Sequence, residues 1–395
     1  MLIRSETSFR QRSSGSGRMM DYSEIIAGAG ELPYEIGTKN EVSCGLHQIA
    51  PYIGKLKPSI SEYLISKYTR VGDTIADPFC GSGTVPLDAV RLGRSTIAAD
   101  CSEYALLLTK AKLFPPSTTD EAINRLDIAL DESDRIRIDL RSIPIWVRQF
   151  FHAETLRQTI ALSQVLKTRK EYFLLACLLG ILHHQRPGFL SFPSSHLVPY
   201  LRTALFPRNV FPELYQYREI RPRMLTKIER IFRRMSTPPG RIAAQHSDVR
   251  LANALNVEIW KQVDAIITSP PYMNALDYVR DNRLRLWFLS GCHVYSNSAE
   301  STRSRVGFMA LMARFVRKAV KRLRIGGHCV MVVGETANRS TRKSHPAHAV
   351  LEAASAIPNL TIAEILSDQI PDVRRSRREG RATKREIILV FQRTS

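Results

Sequence analysis

The sequence contains no C-x-x-C pair. Its six cysteines, Cys44, Cys80, Cys101, Cys177, Cys292 and Cys329, stand singly, which argues against a zinc ribbon or a disulfide framework and for a reducing compartment. No metal site is expected. Apolar runs of membrane-spanning length are missing too. The stretch from Tyr172 to Leu182 is apolar, but it is too short and ends at His183 and His184. There are no internal repeats. Acidic residues are scarce beside basic ones, 37 against 57, for a formal net charge of +20. The basic excess is clustered, so it points to a polyanionic partner, nucleic acid before membrane. Residues 1–40 lack sustained periodicity and carry Gly and Ser clusters. They read as a flexible tail and entry loop, although the Arg- and Ser-rich start shares features with a transit peptide.

What is present is organised around Thr74 to Thr84. Thr74, Ile75 and Ala76 read as the end of a buried strand, with Asp77 at its carboxyl end. Pro78 stops the ladder because it has no N–H. Gly81 and Gly83 permit a tight turn with open backbone. Thr84 is placed to cap the following helix, about Val85 to Leu92, which ends at Gly93. A second strand, Ser95 to Ala99, ends at Asp100, seventeen residues after Gly83. A helix follows from Tyr104 to Phe114 and stops at Pro115. Strand, glycine turn and helix start put backbone N–H groups beside a crevice where α/β sheets bind nucleotide-like ligands, and the strand-end Asp100 is where ribose hydroxyls are met. Taken alone, the Gly-x-Gly turn is equally a plain structural turn, and Asp100 a solvated aspartate.

Residues 116–240 show mostly helical pattern and no strand–helix alternation. From Arg141 onward they are strongly basic, with aromatics such as Trp146, Phe150, Tyr200 and Tyr217 interleaved. Charge for phosphate and π-faces for bases suit a nucleic-acid groove; a helical lid with a solvated basic face is the plainer reading. Alternation resumes at Arg241. Expected strands are Ile242 to Ala244, Val263 to Thr268, Cys329 to Val333, Leu360 to Leu366 and Glu386 to Phe391. Helices are expected from about Ala275 to Leu289 and from about Phe308 to Leu323.

The most specific stretch is Asp264-Ala-Ile-Ile-Thr-Ser-Pro-Pro-Tyr272. Two prolines after a buried strand force an extended, rigid backbone. That leaves the Ser269 hydroxyl and the Pro270 carbonyl as paired acceptors for the two N–H donors of an exocyclic amine, with Pro271 fixing the turn and Tyr272 stacking on the base. A duplex base reaches such a pocket by flipping out.

Asp-Pro-Phe-Cys-Gly-Ser-Gly-Thr together with Thr-Ser-Pro-Pro-Tyr resembles the DNA amino-methyltransferases, which methylate cytosine N4 or adenine N6 with S-adenosylmethionine. The resemblance covers about residues 41–115 and 241–395. It implies a Rossmann-like class I methyltransferase fold, an α/β architecture with a mostly parallel seven-stranded sheet and helices on both faces. Residues 116–240 then form a mainly helical inserted domain for target recognition. It implies that Asp77, Pro78, Phe79, Gly81, Gly83 and Thr84 hold the methionine end of the cofactor, Asp100 and Cys101 the ribose, and Asp248 the adenine. The stretch His47 to Pro58 looks like an additional cofactor motif, with Tyr52 and Lys55. Serine before Pro-Pro is typical of cytosine-N4 enzymes, while the order of motifs, cofactor first, leaves adenine N6 open. No Cys follows a Pro at the position that cytosine-C5 chemistry needs. Tyr278, Arg280 and Arg283, and Arg374 and Arg375 in the Arg374 to Arg385 loop, are candidate contacts to nucleic acid. A guanine-N2 RNA methyltransferase is the second reading, and a non-catalytic nucleic-acid-binding protein on the same fold the third. The expected partner is double-stranded DNA, which leaves a cognate restriction endonuclease open. The expected setting is the cytoplasm of a bacterium or archaeon, at the nucleoid.

Overall fold

The computed structural model describes residues 22–33, 44–183, 189–192, 206–235, 239, 241–259, 261–271, 279, 282–291, 305–334, 345–370 and 384–395. The segment most of the 1–40 tail occupies, and Tyr272, Tyr278, Arg280, Arg374 and Arg375, lie outside the described residues.

Helix α1 (Tyr22–Ala27) and the short strand β1 (Gly30–Glu31) are followed by a 3-10 turn, Gly45–Gln48. Helix α2 (Pro58–Tyr68) opens on a proline, where the missing N–H has no helical partner to lose. Then come β2 (Thr74–Asp77), α3 (Thr84–Arg91), β3 (Ser95–Asp100) and α4 (Glu103–Leu113). Ser102 caps α4, its hydroxyl accepting from the Ala105 N–H at 3.4 Å. The helices α5 (Thr119–Ser133), α6 (Ala153–Thr168), α7 (Tyr172–Ile181) and α8 (Ile220–Arg233) occupy the non-alternating stretch. After them run α9 (Arg241–Gln245), β4 (Asp248–Leu251), β5 (Val263–Thr268), α10 (Arg283–Ser290), α11 (Arg305–Arg322), β6 (Leu323–Gly334), α12 (Ala347–Ser355), β7 (Leu360–Ile370) and β8 (Lys384–Arg393).

One expected strand is corrected. Ile242 to Ala244 lies inside the helix α9, and the strand that pairs with β3 starts later, at Asp248. An apolar triplet does not distinguish helix from strand. Here Ala244 packs with Val90 and Leu113, which holds the segment as helix against the sheet. The strand itself lies at the sheet edge with Arg250 and Leu251 exposed, so it carries no buried alternation to read.

The strands form one sheet in the order β1-β7-β8-β6-β5-β2-β3-β4. All pairs are parallel except those of β8, which runs antiparallel between β6 and β7. This is a doubly wound α/β sheet, with β1 added at one edge to the seven strands expected. The chain steps outward from β2 to β3 and β4, then returns to place β5 on the other side of β2. That reversal makes a topological switch point between the carboxyl ends of β2 and β5, the place where such sheets bind ligands.

Both faces of the sheet are covered, as a parallel sheet requires. Ala76, Ile266, Cys329, Met331 and Val333 face α11 and α12, packing with Phe308, Phe315 and Val350. Ile75, Ala265, Ile267, Val330 and Val332 face the other way, toward Ile60, Leu64 and Ile65 of α2 and Val85 and Ala89 of α3. A third cluster joins Tyr104, Leu107 and Leu108 of α4 to Leu162, Leu174, Leu178 and Ile228 of the helical stretch. Part of the basic charge there is paired internally. Arg125 meets Glu121 and Glu171, Arg169 meets Glu132, and Arg221 meets Asp127 through two parallel bonds of 2.9 and 3.0 Å.

Candidate active site

The site is built at the switch point. β2 ends in Asp77, which is 3% exposed, and the chain turns through Pro78 to Gly83 into α3. Gly81 and Gly83 both take left-handed backbone, with φ of 48° and 70°. At Gly83 the need is double: a Cβ there would also stand 2.8 Å from the Thr109 Cα. Gly83, not Thr84, is the cap residue of α3, and no side chain caps this helix. Thr84 is the first helical residue instead, its hydroxyl 3.1 Å from that of Ser82. Helix N-terminal N–H groups without a side-chain cap remain available to a ligand.

Asp100 is tied to this turn. Its Oδ2 accepts the Gly81 N–H at 3.0 Å and its Oδ1 the Ser102 N–H at 2.9 Å. Burial raises its carboxyl above the ordinary range against the pull of those two N–H groups. The Cys101 side chain and backbone also bond to this carboxylate. Cys101 follows as an exposed residue whose side chain bonds to Asp100, while the Cys80 thiol is buried and its pKa stands well above the ordinary value because of that burial. Tyr52 leans on the turn: a Cβ on Gly81 would approach its ring at 3.3 Å. Its ring stacks at 6.1 Å on that of Tyr104, whose hydroxyl donates to the Pro51 carbonyl at 3.0 Å. Lys55 counts as exposed over the whole residue, yet its ammonium turns inward to donate to the His47 carbonyl at 3.0 Å, and burial lowers its pKa. Phe79 sits edge-on against Phe315 of α11 at 5.2 Å.

β5 delivers the second motif beside the first. Thr268 donates its hydroxyl to Asp77 Oδ1 at 2.6 Å, and the Phe79 N–H reaches the same oxygen at 3.3 Å. Burial pushes the Asp77 carboxyl up to about 7, and the neighbouring Asp100 adds to this. Ser269 donates to the Val332 carbonyl of β6 at 3.2 Å. With its one proton engaged there, the hydroxyl meets any third group as an acceptor. Pro270 is buried and Pro271 half-buried beyond it.

Two sequence candidates fall elsewhere. Asp248 starts β4 level with Ile97, three residues short of Asp100 in the register, and is ion-paired with Arg250. It therefore stands well below the carboxyl edge that holds Asp100. Arg283 is exposed, with its guanidinium 4.2 Å from the Trp146 ring. Other residues had no signal in the chain order. Arg285, 8% exposed, donates to the Leu179 and His183 carbonyls at 3.2 and 3.4 Å and lies 5.8 Å from the Tyr104 ring. His47 and Asp88 form a buried pair at 2.8 Å under the segment that carries Tyr52, and burial keeps the His47 pKa below its ordinary value.

Residues 55–111 match the family model of N6/N4 methyltransferases described as DNA methylase. The resemblance to the DNA amino-methyltransferases holds over this segment. Type II methyltransferase M.MjaII from Methanocaldococcus jannaschii is 35% identical over 83 residues, a stretch that makes up 21% of this chain and 16% of that protein. Among solved structures, TrmN from Thermus thermophilus is 13% identical at a TM-score of 0.34, covering 86% of this chain and 50% of that one. The rRNA methyltransferase AviRa from Streptomyces viridochromogenes is 12% identical at 0.33, covering 90% and 94%. At such scores the fold rests on the strand order, not on these likenesses. The cofactor of the matched family is S-adenosylmethionine, and the turn fits it: an uncapped helix N-terminus, left-handed glycines and a strand-end carboxylate stand together.

Proposed function

We propose that the protein methylates the exocyclic amine of a flipped base in double-stranded DNA, cytosine N4 in the first place. The observation that supports this most is the pairing at the switch point: the Asp77 to Thr84 turn and Ser269-Pro-Pro leave adjacent strands side by side. Asp77 and the Gly81 to Thr84 turn hold the amino-acid end of the cofactor, and Asp100 its ribose. When bound, S-adenosylmethionine supplies an electrophilic methyl group on a sulfonium. Ser269 and the Pro270 carbonyl accept the two N–H groups of the amine, which turns its nitrogen lone pair outward. Tyr272 stacks on the base. The amine proton leaves to solvent, so the rate comes from positioning and exclusion of water, not from a strong base. Exposed arginines of the helical insert, Arg230 and Arg233 among them, suit a phosphate backbone.

The test incubates the full chain with labelled S-adenosylmethionine and either duplex DNA or tRNA, and identifies the methylated nucleoside by mass spectrometry. N4-methylcytosine is expected. N6-methyladenine would overturn the choice of base and keep the enzyme class, and label in RNA alone would overturn the DNA reading.

A further inference from the structure

Asp77 and Thr268 are separated by 191 residues in the chain and by 2.6 Å in the fold. Both are buried, at 3% and 0% exposure. The register pairs Ala76 with Ile266, so Thr268 overhangs Asp77 by one residue at the carboxyl edge. Thr268 immediately precedes Ser269, and Asp77 immediately precedes the glycine turn. Among the described residues, the donors to Asp77 are the Thr268 hydroxyl and the Phe79 N–H, and both act on Oδ1. Oδ2 has no hydrogen-bond partner among those residues.

We propose that Thr268 is a positioning residue of the methyl-transfer site, whose hydroxyl bond to Oδ1 fixes the Asp77 carboxylate for the ammonium group of the cofactor's methionine end while anchoring the Ser269 loop to the same point. This rests on the cofactor reading given above. The chemistry sets a definite requirement. A cation is held by an ionised carboxylate, and a hydrogen bond donated to the ionised form favours it. Burial and Asp100 oppose ionisation of Asp77, and the Thr268 hydroxyl, at 2.6 Å, acts the other way more strongly than the longer bond from the Phe79 N–H. Among the described residues the Cys80 thiol also faces this corner, and burial keeps it neutral. A threonine that merely filled a core position would be replaceable by valine, its isostere, without changing how the pocket titrates.

The sign follows from which form binds. The ammonium prefers ionised Asp77, so cofactor affinity rises with pH through the Asp77 pKa, near about 7 in the wild type. Removing the hydroxyl raises that pKa, so the midpoint moves to higher pH. A shift of about one pH unit weakens binding about tenfold below the midpoint and leaves it unchanged above. The titration of the cofactor's own amine is common to every variant and cancels.

The experiment measures S-adenosylmethionine binding by calorimetry across the neutral pH range for the wild type, Thr268→Val and Thr268→Ser, each first checked by denaturant unfolding. Thr268→Val is expected to shift the midpoint upward and Thr268→Ser to restore the wild-type profile. A folded Thr268→Val protein whose affinity follows the wild-type pH profile would overturn the inference while leaving the cofactor site intact. A uniform loss of affinity at all pH values would overturn it too, as a purely structural effect. Absence of binding by the wild type would refute the cofactor site itself.

Discussion

Replacing Lys112 with methionine is expected to stabilise the protein at neutral pH. Lys112 lies on α4 with 1% of its surface exposed. Burial pushes its ammonium down to about 7 from the ordinary 10.5, and Lys55 adds to the effect. Asp88, Cys44 and Cys80 act in the opposite direction without overcoming it. In the unfolded chain the same group keeps its ordinary affinity for protons. The unfolded state therefore binds more protons between about pH 7 and 10.5, and folding is disfavoured at low pH by that difference. At about 1.36 kcal/mol per pKa unit, the gap amounts to about 4 kcal/mol at pH 7, where the folded group is half protonated. By pH 9.5 it falls to roughly a third of that. Methionine has similar reach and no charge to desolvate, so Lys112→Met should remove the penalty. Urea unfolding of wild type and variant at pH 7 and 9.5 measures it. A variant no more stable than wild type at pH 7, or one whose gain is equal at both pH values, would refute the reasoning.

Other perturbations act on the site directly. Gly83→Ala forces a left-handed alanine and a Cβ into the Thr109 backbone; a loss of about 2–5 kcal/mol is expected in denaturant unfolding, and a loss below about 1 kcal/mol would show that α3 and α4 separate easily. Ser269→Ala should lower turnover about 100-fold with cofactor affinity unchanged, read by methyl-transfer kinetics beside calorimetry; unaltered turnover would remove Ser269 from the amine-holding role. Asp100→Asn replaces one acceptor oxygen with an amide N–H facing Gly81 or Ser102, so S-adenosylmethionine should bind about tenfold more weakly, and equal affinity would place the ribose elsewhere.

What was legible in the sequence was local. Asp77, Gly81, Gly83 and Asp100 lie within one β-α-β unit, and their spacing alone sets them round one turn. Ser269 and its prolines follow a run whose burial is plain from composition. The pairing of β2 with β5 is what joins the two groups, and it follows from the order of elements once the non-alternating stretch is set aside. The rest is tertiary. Thr268 reads as one more β-branched strand residue until Asp77 is beside it. Arg285 reads as surface charge in a helix that proves buried against α7. His47 and Asp88 acquire meaning only from each other. Asp248 reads as a strand-end residue for a related reason: the edge strand β4 is half-exposed and carries no buried alternation, so the sequence does not show that Asp248 begins it.

The helical stretch between the motifs bears on the cofactor segment through backbone contacts, not through surface charge. The Gly45 N–H donates to the Arg234 carbonyl at 2.8 Å, and a Cβ on Gly45 would stand 2.1 Å from the Ile231 carbonyl oxygen. A Cβ on Gly180 would stand 2.3 Å from the Ile49 carbonyl oxygen. Lys227, 4% exposed, donates to the Gln48 carbonyl at 2.7 Å, and Arg234 reaches the Gln48 side chain at 3.1 Å. Helices α7 and α8 thus grip residues 45–50 from two sides, and Tyr52 with its stack on Tyr104 follows within a few residues. Backbone packed on backbone at this distance admits no independent sliding, because either glycine position has no room to give. The outer face of α8, where Arg230 and Arg233 are exposed, is therefore joined through the helix to residues 45–50. A load placed on those arginines therefore reaches the segment that leads into Tyr52 through closely packed backbone.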